Sequence, residues 1–248
     1  MTDLGNIIEQ VKDFETVKES DKTLSLIPRA VRAVFSRLEI WTLNREYRVR
    51  EVMQELEAKL QNYPKEEIVE PEMYVAVPAI QAMSYSVDAY EIKEMFANLL
   101  TKAMLKSQRD KVHPSYIEII KQLDPYDAVL LKTIASRGVN PIADIRVHDS
   151  AESNTFNIMQ TNVYDPFNEQ LDVDKSALSI TNLVRLGVLN IPEDAHYTKD
   201  SLYEDLEKYT NDLQRQLNRR GNLSILKLQK RIINITPLGL SFIDVCLR

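Results

Sequence analysis

Apolar residues recur with the 3.6-residue period of a helix over residues 24–43, where Leu24, Ile27, Ala30, Val31, Val34, Phe35, Leu38 and Trp41 share one face. Arg29, Arg32 and Ser36 fall opposite, and Pro28 suits a first helical turn. Residues 44–60 continue the pattern through Val49, Val52, Leu56 and Leu60, with Glu55 four residues before Lys59 in the favoured ion-pair order. Asn62, Tyr63 and Pro64 break it. In the apolar stretch that follows, Pro71 reads as a helix entry and Pro78 as a kink or second start. Asp88 is then expected to cap a helix with Glu91 three residues on. Within it Ile92, Met95, Phe96, Leu99, Leu100, Ala103 and Met104 form so wide an apolar face that this helix is expected at the centre of the core.

Two short helices entered through Pro114 and Pro125 come next. Asp124 is expected to cap the second and Gly138 to stop it in the left-handed conformation. From residue 139 the pattern changes. Residues 141–172 are polar, with short apolar runs over 142–147 and 156–159 that read as irregular structure or strand. Asp174 is expected to cap a helix over 175–186 ended by Gly187, and VLNI reads as a short strand. A long amphipathic helix is expected over 199–220, stopped by Gly221. The alternating runs LSILKLQ and RIINIT read as the two strands of a hairpin, and Thr236 with Pro237 as the start of a last helix.

This order of elements predicts a mainly α protein: a helical N-terminal half over residues 1–123, then a winged-helix-like α+β domain over 124–248 with a small antiparallel sheet and an inserted long helix. ITNLVRLGVLNI and RIINITPLGLSFI resemble the recognition-helix and wing phrases of bacterial winged-helix regulators. A DNA reader needs side chains for base edges and cations for phosphates. The recognition helix expected here has a net charge of only +1 and offers only Asn182 and Arg185 as readers, with Lys227, Lys230 and Arg231 nearby. That is a weak nucleic-acid signature.

Composition narrows the chemistry. The chain has 248 residues, a net charge of −6 and only 5 glycines, none close enough to another for a phosphate-cradling loop or a nucleophile elbow. One cysteine, Cys246, allows no internal disulfide, and the three histidines stand far apart. The N-terminus is too charged for a secretory signal and no window is apolar enough to span a membrane, so a cytoplasmic protein without metal or cofactor is expected. Charge alternates in blocks: residues 24–50 are basic, 63–95 and 193–212 acidic, and 213–231 basic with no acid at all. Alternating solvated faces account for such blocks, but the basic helix 24–43, with Arg29, Arg32, Arg37 and Trp41, also suits an anionic membrane surface.

One stretch is more specific. Glu91 with Met95, Phe96, Ala97, Asn98, Leu99 and Leu100 is followed by His113, Pro114, Ser115, Tyr116, Ile119, Ile120 and Leu123, and then by residues 127–131. These residues, together with the closing TPLGLSF, resemble the abortive infection alpha family of bacterial domains. The resemblance implies a role in phage defence and no known reaction. His113 has two readings: a base beside Asp110 or a ligand with Glu118, or a helix entry whose imidazole bonds a neighbouring group. Asp144 and His148, in a segment of strand-like composition, make a poor metal pair. The expectation is a non-enzymatic protein that acts by contact with a phage or host protein. Membrane-surface and DNA-binding roles are its alternatives, and pairing of two copies through the 199–220 helix is compatible with each.

Overall fold

The computed structural model describes Ile27, Val31, Arg32, residues 46–85 and residues 89–248. The contacts divide the chain into two compact units, Met1–Ile120 and Lys121–Arg248.

The first unit is helical. It contains α1 (Glu46–Leu60), α2 (Met73–Tyr85), α3 (Tyr90–Ala103) and the short α4 (Ser115–Ile120), with single 3-10 turns at Lys65–Glu67 and Arg109–Lys111. As its apolar width predicts, α3 is central: all seven residues of its predicted face are at most 5% exposed. Every residue from 95 to 101 is buried, Asn98 and Thr101 included, so this helix is enclosed on all sides by α1, α2 and α4. Thr101 satisfies its hydroxyl by donating to the Ala97 carbonyl at 2.7 Å. Asn62 ends α1 by donating its side-chain amide to the carbonyls of Ala58 and Lys59, both at 3.3 Å. Glu55 pairs with Lys93 of α3 at 3.4 Å, where the local spacing had pointed to Lys59. Helix α3 begins after Ala89, which makes no side-chain cap; the expected cap, Asp88, lies outside the described residues. Of the predicted helix 24–43, Ile27 and Val31 are buried, and Val31 and Arg32 are helical. The rest of it also lies outside the described residues.

The second unit adds α5 (Pro125–Ser136), α6 (Val173–Arg185), α7 (Glu204–Arg219) and α8 (Pro237–Cys246) to five strands: β1 (Pro141–His148), β2 (Asn157–Val163), β3 (Leu189–Asn190), β4 (Ile225–Ile232) and β5 (Asn234–Ile235). Strands β2, β1 and β4 form an antiparallel sheet in that order, and β3 pairs with β5 separately. The expected hairpin between the two alternating runs is therefore not formed. β4 finds its partner in β1, and the chain turns at the buried Ile233 to send β5 to β3. Amphipathic α7 lies over the inner face of the three-stranded sheet, where Tyr203 and Leu206 pack on Ala143, Ile145, Val163 and Leu226.

Helix ends also differ in detail from the local reading. Asp172, not Asp174, caps α6, accepting from the Lys175 amide at 2.8 Å, because its backbone is extended there while Asp174 already lies in the first turn. Gly187 and Gly221 do adopt left-handed conformations, each closing its helix with paired backbone bonds of the Schellman type. Gly138 does not: α5 ends at Ser136, and the buried Asn140 side chain donates instead to the Ile134 carbonyl at 3.2 Å. Gly239, in the first turn of α8, is there for space. A Cβ at this position would stand 2.1 Å from the Val188 carbonyl oxygen.

Candidate interaction surface

Helix α6 is the segment expected to read a ligand. It is anchored by a polar node at the start of α5. Asp124 accepts from the Asp127 amide at 2.8 Å and Asp127 accepts in return from the Asp124 amide at 3.1 Å, a reciprocal capping box. The buried Asp127 carboxylate then accepts from Ser179 Oγ at 2.5 Å and from Asn182 Nδ2 at 2.9 Å. Asn182 also donates to the Gln122 carbonyl at 3.0 Å. Arg185 donates to the Gln122 side chain at 3.0 Å and to Asn182 Oδ1 at 2.7 Å. Asn182 thus fastens α6 to α5, and Arg185 fastens it to Gln122 just before α5.

What α6 turns outward is different. Its buried stripe runs through Ser176, Ser179, Ile180 and Leu183. Leu178 stands roughly 200° round the helix from Ile180 and is 72% exposed, between Asp174 and Thr181 on the same outer face. The neighbouring strand continues this surface. Asn162 of β2 adopts a left-handed conformation, φ 52°, at one of two register shifts between β1 and β2. Its side-chain amide donates to Thr181 Oγ1 at 3.3 Å. Further along β2, Ile158 is 59% exposed, with Met159 and Phe156 also exposed, and the strand carries no charged residue. Isolated apolar residues on a surface are ordinary, but several on adjoining elements mark a contact site.

The basic block 213–231 is partly neutralised within the unit. Arg231 donates to the buried Asp144 at 2.9 Å, and the other Asp144 oxygen accepts from Thr161 Oγ1 and the Asn162 amide. Lys230 bridges Asp200 and Glu207 at 2.7 and 2.8 Å. Those two bonds push its amine up to about 12, while Lys230 in turn holds Asp200 below the usual carboxylate range. Lys227 donates to the Ala151 carbonyl at 2.8 Å.

The other residues singled out from the sequence are scattered. Arg29, Arg37 and Trp41 lie outside the described residues, and Arg32 is half-buried. Phe96, Asn98 and Tyr116 are buried. His113 and Pro114 are exposed at the entry to α4, where His113 Nδ1 accepts from the Ser115 amide at 3.1 Å and lies 2.7 Å from its hydroxyl. This is the helix-entry role. Asp144 is held as described above, and His148 Nδ1 bonds the Ser153 carbonyl at 3.0 Å. Among the described residues no group of three or more metal-binding side chains comes together, and no helix is long and apolar enough to cross a membrane. Leu178, Ile158 and Met159 escaped the sequence reading, although an apolar residue out of phase with the α6 stripe was a visible signal.

The fold defines a mainly helical protein whose C-terminal half carries small antiparallel sheets. The chain belongs to the abortive infection alpha family, whose model matches residues 44–246. No curated protein and no solved structure matches it.

Proposed function

We propose that this protein serves abortive infection without catalysing a reaction, by contacting a phage or host protein through the outer faces of α6 and β2. The observation that carries this reading is the exposure of the apolar side chains of Leu178, Ile158, Met159 and Phe156 on these neighbouring elements. This surface lies beside a helix whose candidate base readers, Asn182 and Arg185, are tied to α5 and its approach. The same bonding counts against the DNA-binding alternative, since a reader must have free donors to offer base edges. The sequence resemblance to winged-helix regulators carries no function by itself, because one fold serves many functions.

Leu178→Asp and Ile158→Asp test the proposal in cells challenged with phage. Both positions are solvent-exposed, so the melting temperature should stay close to that of the parent. Placing a charge in a contact centre is expected to weaken partner binding by about thirtyfold and to abolish protection. Leu223→Asp, at an 88% exposed residue outside the surface, serves as the control and should protect fully. Full protection by both surface variants would sink the proposal.

A further inference from the structure

Within an acidic chain, several cations of the second unit find carboxylates. Arg137, Arg215, Lys230 and Arg231 each meet a carboxylate. Arg146 and Lys227 do not, among the described residues, although they stand directly opposite each other on β1 and β4. Arg146 is half-buried, and its guanidinium carbon sits 4.0 Å from the centre of the Phe156 ring. Its Nε is buried and has no hydrogen-bond partner. A guanidinium pinned on a ring in this way keeps its planar fork oriented at little further entropic cost. Ile158, the β2 residue paired with Arg146, supplies an exposed apolar neighbour on the same face. β2 is the outermost strand of its sheet.

Resting on the contact surface proposed above, we infer that Arg146, supported by Lys227, is the seat for a carboxylate on an extended acidic and apolar segment of the protein partner. The carboxylate meets the Arg146 fork and the Lys227 amine, and apolar side chains flanking it pack on Phe156 and Ile158. The pairing supplies the negative charge that the paired cations of the unit already find within the chain, and it lies where water is partly excluded and a charge-assisted bond is strongest. A polyanion such as nucleic acid fits less well, because the apolar Phe156 and Ile158 flank Arg146 and the chain carries a net charge of −6.

The test is selection from a display library of random linear peptides about twelve residues long on the full-length protein, followed by titration of the enriched peptides in solution. Enriched sequences should share an Asp or Glu flanked by apolar residues. Arg146→Gln should weaken them about tenfold, Arg146→Lys less, and added salt should weaken them further. Lys227→Gln, at an exposed position, gives the same readout and gives up only the surface bond to the Ala151 carbonyl. Failure to enrich any peptide, a consensus without acid, or binding indifferent to both Arg146→Gln and Lys227→Gln overturns the inference. So does Arg146-dependent retention of a DNA or RNA oligonucleotide. Binding lost with Ile158→Asp but kept with Arg146→Gln leaves the contact surface standing and removes the carboxylate seat alone. Binding indifferent to Ile158→Asp and Leu178→Asp as well removes the surface itself.

Discussion

Helix α3 in the first unit and helix α6 in the second are both held by their own unit, but by different forces. Around α3 seven consecutive residues are buried, and apolar packing with α1, α2 and α4 encloses them. α6 buries two serines for every two aliphatic residues and is fastened through Asp127, Ser179, Asn182 and Arg185. Apolar packing tolerates a range of shapes, whereas hydrogen bonds fix one register and leave the opposite face free for other uses. The contrast shows how α6 is held firmly by one face while Leu178 on the other faces solvent.

The largest expected effect tests the packing side of this contrast. Phe96→Ala empties a site at 0% exposure and should cost about 4 kcal/mol in urea unfolding. Gly239→Ala should cost about 3 kcal/mol, since the new Cβ must displace the Val188 carbonyl that sets the meeting of α8 and β3. A tolerated alanine there would mean that this contact relaxes easily and that the second unit is looser than its polar bonding implies. Asp127→Ala should cost about 2 kcal/mol, because it strands the Ser179 and Asn182 donors and removes half of the α5 capping box. An unchanged midpoint for that variant would erase the contrast between the two helices.

The smallest effect depends on pH. Burial, with the Asp165 charge adding and Arg137 opposing, pushes the Tyr164 phenol up to about 12. An unfolded tyrosine ionises near pH 10, so between about pH 10 and pH 12 the native state binds more protons than the unfolded one. Stability contributed by Tyr164 is therefore present below that window and lost across it. Tyr164→Phe, which gives up the 2.9 Å bond to Asn140, should cost about 1 kcal/mol at neutral pH. The difference from the parent should narrow as the pH rises, which urea midpoints measured from pH 9 to 12 would show. A gap that stays constant would mean that the phenol ionises at its ordinary pH in the folded protein.

Much of the architecture was legible along the chain. The seven-residue face of α3, the Asp124 cap, the stops at Gly187 and Gly221 and the Thr236 start of α8 are all local, resting on side chains within a turn or two of one another. The misreadings concern partners from elsewhere. Asn140 replaced Gly138 as the finish of α5, Asp172 replaced Asp174, and Lys93 replaced Lys59 as the partner of Glu55. In each case several local solutions were available, and a neighbouring backbone or element decided between them.

The abortive infection alpha assignment, the mainly helical character and the central place of α3 follow from the sequence by itself, because helix periodicity, caps and family motifs are written in residues close together. Tertiary structure alone decided that β4 pairs with β1 and β5 with β3, since an alternating run states that a strand exists but not which strand it joins. It also decided the fate of the polar side chains. Asn182, Arg185, Lys230 and Arg231 look available in the sequence and are occupied in the fold, while the apolar Leu178 and Ile158 face solvent. The physical reason is that hydrogen bonds and exclusion of water depend on what comes within a few ångströms, and folding brings those neighbours from dozens of residues away.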